Sequence, residues 1–268
     1  MLFGHNTVSP TSAHLGDSGI SGDVAHWQQV KKLQKYNLGT FGIGSADGKG
    51  YQGFSSTKWA HHLGIPSSVF TKYNLPNKNL WLNQHSIGWE MDCLGPLEPA
   101  PEGRGMFRTA VKEYQKGRTG QIRIHPDNVQ HYPGGFRGYE FYEKFTPEQI
   151  EYTRKVFLYI CERHQIPTDY NEDQWDVSPR ALAGQAGVWQ HVSVRPDKTD
   201  CHPQPEYIAM LQGLKPRPVV VVVSEPEPKE PEPEPKEPKP EPEPKEPAEP
   251  ELPKGCFWPF STKPKANV

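Results

Sequence analysis

The sequence predicts an α/β or α+β domain of about 210 residues, from segments whose apolar period switches between helical and extended. Thr146 to His164 carries the strongest helix signal. Thr146 is a cap, Pro147 takes the first helical position, and Gln149 stands where a capping box places it. Ile150, Phe157, Ile160 and Cys161 then form an apolar stripe, and Ile166-Pro167 ends the element. Ser86 to Met91 reads as a strand with Ile87, Trp89 and Met91 on one face and Ser86, Gly88 and Glu90 on the other. With the apolar face packed on a helix, Glu90 points into any cleft above the sheet. Phe41 to Tyr51 reads as a hairpin turning at Asp47-Gly48. Asp23 to Tyr36 reads as a further helix, capped by Asp23, with Val24, Trp27, Val30 and Leu33 on one face.

The 268 residues divide into a domain at 1–215, a Pro/Glu/Lys-rich linker at 216–254 and a short aromatic segment at 255–268. From Glu225 to Pro253 the chain is almost wholly Pro, Glu and Lys. Such a composition buries too little apolar surface to offset its chain entropy. An extended spacer of roughly 90 Å is expected, at about 3.1 Å per residue. Its eleven Glu and four Lys carry −7 of a formal total of −2, which leaves the rest mildly basic at +5. That charge suits an anionic polymer, though it discriminates weakly. Beyond the spacer, Gly255-Cys256-Phe257-Trp258-Pro259-Phe260 could be a docking peptide, a fold-back or a plain terminus.

Val219 to Val223 is far shorter than the roughly 20 apolar residues that span a bilayer. The N-terminus shows no basic region followed by a long apolar run, so synthesis in a cytoplasm without a signal peptide is expected. Cys93, Cys161, Cys201 and Cys256 show no close pairing and are read as thiols.

Metal chemistry is suggested by His191 with Lys198-Thr199-Asp200-Cys201, and by His5 at the end of the apolar run Met1-Leu2-Phe3. Imidazole, thiolate and carboxylate are the ligand types of zinc, and three protein ligands with an open position describe a catalytic rather than a structural site. Cys201 or Asp200 would supply the third ligand. Arg123-Ile124-His125-Pro126-Asp127 and His131-Tyr132-Pro133 also hold metal-capable residues but read as ordinary polar loop.

Four segments in order resemble the type 2 zinc-dependent N-acetylmuramoyl-L-alanine amidases, relatives of the peptidoglycan recognition proteins. His5-Asn6-Thr7 is similar to the family's first-strand His-x-Thr, and Ala60-His61-His62-Leu63-Gly64 to its Ala-Trp-His-Ala-Gly. Ser86-Ile87-Gly88-Trp89-Glu90 resembles Ser-Ile-Gly-Ile-Glu. His191 with the 198–203 segment resembles the closing motif, which reads Thr-x-Cys-Pro or Lys-x-Asp-Pro. The likeness covers roughly residues 1–212 and omits about 95–145. Thr40-Phe41 stands where the family often has a Tyr-His pair, so no tyrosine is carried over.

The resemblance implies a mixed central sheet flanked by helices, with an unusually short first strand. It implies a Zn²⁺ held by His5, His191 and Cys201, the preferred third ligand, with Asp200 as the alternative. Glu90 becomes the general base, Thr199 or Lys198 stabilises the oxyanion, and His62 binds substrate. The implied activity is cleavage of the amide between N-acetylmuramic acid and L-alanine in peptidoglycan, as in a phage endolysin acting on the wall after release. The other reading is a non-catalytic peptidoglycan-binding module of a larger cell-wall or virion assembly. No nucleic-acid partner is expected under either.

Overall fold

The computed structural model describes residues 1–8, 39–112, 115 and 118–215. The helix expected at Asp23–Tyr36, the linker and the aromatic segment lie outside these residues.

A five-stranded mixed sheet organises the chain. It is built from β1 (Leu2–Val8), β2 (Gly42–Gly44), β3 (Gly50–Gln52), β4 (Ile87–Cys93) and β9 (Val188–Gln190). Their order is β3-β2-β4-β1-β9, and every neighbouring pair is parallel except the β2–β3 hairpin. The first strand is not short. It runs seven residues and sits between β4 and β9, so two neighbours supply the ladder bonds that its Gly-His-Asn stretch would not specify alone.

Alternation assigns the two faces. Leu2, Ile87, Trp89, Met91 and Val188 share one, buried against Ile150, Phe157, Ile160 and Cys161 of α4 (Pro147–His164) and Tyr207, Met210 and Leu211 of α6 (Pro205–Gln212). Phe3 and Trp189 lie on the other. They pack with Val69 and Phe70 of α1 (Ser67–Lys72), Leu82 of α2 (Asn79–Gln84) and Leu182 of α5 (Pro179–Ala183).

The α4 start follows its sequence signal in part. Thr146 Oγ1 accepts from Gln149 N at 3.1 Å, but the Gln149 amide donates to the carbonyls of Gly44 and Asp92 rather than closing a capping box. Gln149, three residues after the cap, therefore ties the helix to the sheet.

Trp89 fits because β2 opposes it with glycines. A Cβ at Gly42 would stand 2.6 Å from the Tyr51 carbonyl oxygen and 2.7 Å from the indole, and one at Gly44 would stand 2.9 Å from it. Gly42→Ala is expected to cost about 1–3 kcal/mol by overpacking. That corresponds to roughly 2–12 °C in Tm for a domain of this size. An unchanged melting curve would show that the indole yields freely.

Residues following β4 form a second, antiparallel sheet of β5 (Pro96–Pro99), β6 (Phe107–Thr109), β7 (Val129–Phe136) and β8 (Tyr139–Glu143), in the order β6-β5-β8-β7. The short helix α3 (Arg118–Gln121) lies between β6 and β7. Leu94, Leu97 and Ile124 give this sheet its own small core. Two contacts fasten it to the 191–202 segment. Arg137 donates to Val192 O at 3.0 Å, and Tyr132 donates to His202 Nδ1 at 2.8 Å while His202 Nε2 donates to Glu143 O. Among the described residues no helix is long and apolar enough to cross a membrane.

Candidate metal centre

Two parallel strands and one loop deliver three buried donors to a single point. His5 lies on β1 opposite Glu90 of β4, and His191 follows the last residue of β9. Asp200 comes from the loop beyond, fixed by the bond from Val192 N to its carbonyl at 2.9 Å. The site lies over the sheet face that carries His5 and Glu90, both at mid-strand, with Thr40 ahead of β2 at its border.

His5 Nδ1 and His191 Nδ1 stand 3.1 Å apart, and Asp200 Oδ2 lies 2.9 Å from the second and 3.5 Å from the first. Among the described residues this is the one group of three metal-capable side chains. Tetrahedral zinc with bonds of about 2.0–2.1 Å spaces its ligands by about 3.3 Å. The donor spacing fits.

Hydrogen bonds at the far side of each ring fix the tautomers. Ser86 Oγ donates to Leu82 O at 2.6 Å, so its single proton is used and it accepts from His62 Nε2 at 2.9 Å. Neutral His62 therefore has a bare Nδ1, which accepts from His5 Nε2 at 3.0 Å. His5 Nδ1 is left as a lone pair. His191 Nε2 donates to Leu63 O at 3.0 Å, which leaves its Nδ1 bare as well. Two lone pairs and a carboxylate oxygen then face one another in a buried site. A proton on His191 Nδ1 shared with Asp200 Oδ2 or a cation at the centre relieves that arrangement, and outer hydrogen bonds of this kind are how proteins orient histidine ligands.

The titration behaviour agrees. Burial, then the charge of His191, lowers His5 to about 4, and burial with His5 and His191 nearby lowers His62 well below its usual value. Both are neutral at pH 7. Burial opposes ionisation of Asp200, yet His191 and then His5 hold its carboxyl well below the ordinary range.

Cys201 is not with them. It is fully buried in the core on the opposite face, where it hydrogen-bonds Tyr207 and lies close to Gly4. Burial, then Asp200 and Glu90, push its thiol up, so no thiolate is on offer. Asp200, the alternative ligand, takes the position instead. Lys198 lines the same cleft as Asp200, whereas Thr199 does not. In an extended segment residues two apart share a side, so 198 and 200 face the cleft together.

The cleft has a volume of ≈ 340 Å³, and Thr40, His62, Glu90 and Lys198 line it around the three donors. Glu90 Oε2 is buried with no hydrogen-bond partner. Burial, then Asp200, raises its carboxyl well above the usual range, against the pull of Lys198. His62, expected to bind substrate, instead spends both ring nitrogens on His5 and Ser86. Its segment is set by Asn83, whose Oδ1 accepts from His62 N and Leu63 N, and by Arg195, which donates to Gly64 O at 2.7 Å. Neither Asn83 nor Arg195 had a sequence signal. A larger cavity of ≈ 640 Å³ near Phe145, Ile150 and Met210 brings no such donor group together. His125 and Asp127 are an exposed pair beside β7.

Compared with known proteins, the chain matches no family model and no curated sequence.

Proposed function

We propose that the protein is a zinc-dependent amidase of the type 2 fold that cleaves the bond between N-acetylmuramic acid and L-alanine in peptidoglycan. The observation that carries the reading is the convergence of two bare imidazole nitrogens and a carboxylate beside an unpaired Glu90 in one cleft. The ordered sequence motifs supply the substrate class.

His5, His191 and Asp200 would hold the zinc, which when bound polarises a carbonyl and makes water a better nucleophile near neutral pH. Glu90 takes a proton from the attacking water as its oxygen joins the carbonyl carbon. The C–N bond breaks, and Glu90 returns the proton to the leaving nitrogen. Burial raises this carboxyl above the usual range, which favours its holding the proton and handing it on. Lys198 brings positive charge to the developing oxyanion from the cleft wall. His62 and Ser86 keep the His5 ring turned toward the metal. Release onto the wall, as in a phage endolysin, belongs to the same reading.

Mass analysis of purified peptidoglycan after incubation tests it. The expected products are glycan with free lactyl carboxyl groups and peptides beginning at a free L-alanine amine. Binding without new fragments would favour a non-catalytic recognition module instead.

A further inference from the structure

Thr40 has a buried hydroxyl that the mechanism above does not use. The residue is 6 % exposed, lines the cleft, and its Oγ1 has no hydrogen-bond partner. Buried polar groups are nearly always paired, so each exception calls for a reason.

The surroundings explain why no protein group satisfies it. Thr40 is held between two backbone anchors, Gly39 N to His61 O at 3.2 Å and Phe41 N to Gly88 O at 2.7 Å. A Cβ on Gly88 would lie 2.8 Å from both Thr40 Cγ2 and His62 Nδ1, so the missing side chain lets Thr40 and His62 lie together on the sheet. His62 has both nitrogens engaged and offers nothing to the hydroxyl. Glu90, two residues beyond Gly88 on the same face, has its Oε2 without a hydrogen-bond partner as well. An unpaired hydroxyl and an unpaired carboxyl oxygen in one cleft, beside the candidate metal centre, are groups that a bound ligand completes.

We infer that Thr40 is a substrate-binding residue whose hydroxyl donates to a carbonyl oxygen of the peptide portion of the substrate. The inference rests on the amidase reading for the chemical class of the ligand. A hydroxyl donates one hydrogen bond, and an amide carbonyl beside the scissile bond is the acceptor that such a substrate presents. The contact is present before and during reaction, so it acts on binding rather than on turnover.

The test compares Thr40→Val, which keeps the shape and removes the hydroxyl, with Thr40→Ser, which keeps the hydroxyl. With a soluble muropeptide, Thr40→Val is expected to raise KM about tenfold with kcat little changed, and Thr40→Ser to recover most of that loss. The melting temperature of ligand-free Thr40→Val should equal or exceed that of the unaltered protein, because an unsatisfied buried hydroxyl has been removed. An unchanged KM overturns the inference, and so does a clear fall in Tm, which would give the hydroxyl a structural partner. If the unaltered protein binds the muropeptide without cutting it, the amidase reading fails alone. A tenfold loss of affinity in Thr40→Val, measured by calorimetry, then still supports Thr40, and an equal affinity overturns it.

Discussion

Purified protein is expected to carry about one zinc per chain, with His191→Ala and Asp200→Asn each losing it and Cys201→Ser keeping it. The first two remove a donor from a set of three. Loss of even an outer partner weakens metal binding by about 10–100-fold, so loss of a direct ligand should exceed that. Asp200→Asn also removes the one negative charge that balances the cation within the donor set. Cys201→Ser changes a thiol in the core beside Tyr207, and its expected effect is on stability. Acid should release the metal, since every bare nitrogen that gains a proton is lost as a ligand. His5 is held to about 4, so zinc content should persist at neutral pH and fall as the pH drops toward that value. Elemental analysis of the three variants, with a pH series on the unaltered protein, checks each statement. Zinc lost from Cys201→Ser and retained by Asp200→Asn would reverse the ligand assignment.

Glu90→Gln should separate chemistry from metal binding. The amide keeps the size of the carboxylate but cannot carry the proton, and the expected loss is about 10²–10⁴ in turnover, the usual scale of general acid–base help. Zinc content should be unchanged, because Glu90 is not one of the three converging donors. Rates on a soluble muropeptide together with metal analysis decide the matter. Cleavage at the unaltered rate would make Glu90 a structural residue.

Much of the central sheet was legible because its segments carry strict periodicity. Ile87, Trp89 and Met91 alternate with Glu90, and the α4 stripe of Ile150, Phe157, Ile160 and Cys161 meets them across one core. His5 and His191 were legible as ligand types. The choice between Asp200 and Cys201 was not. The two are adjacent and chemically suited, and their sides are decided by the core's demand for a small apolar group against Gly4 and Tyr207. The role of His62 was hidden for a similar reason, since only the Ser86 and Leu82 contacts fix which nitrogen carries its proton. The second sheet was missed because Pro96, Pro99, Pro133, Gly134 and Gly135 weaken the strand signal of β5 and β7.

The place of β1 between β4 and β9 has a consequence for how the polypeptide is made. Its first neighbour, β4, begins at Ile87, and His191 lies 186 residues beyond His5. At about 5–20 residues per second a ribosome needs roughly 10–40 s to cover that interval. β1 has neither flanking partner until β4 is complete at Cys93, and only one from then until β9 follows, so the Trp189 side of the core around Phe3 stays open to the end. Pairings this distant in sequence are slow to close because chain entropy is lost before contacts compensate. The nascent chain is thus most prone to aggregate before β9 appears. A metal bound by His5 and His191 could not assist earlier, because His191 is translated immediately after that strand.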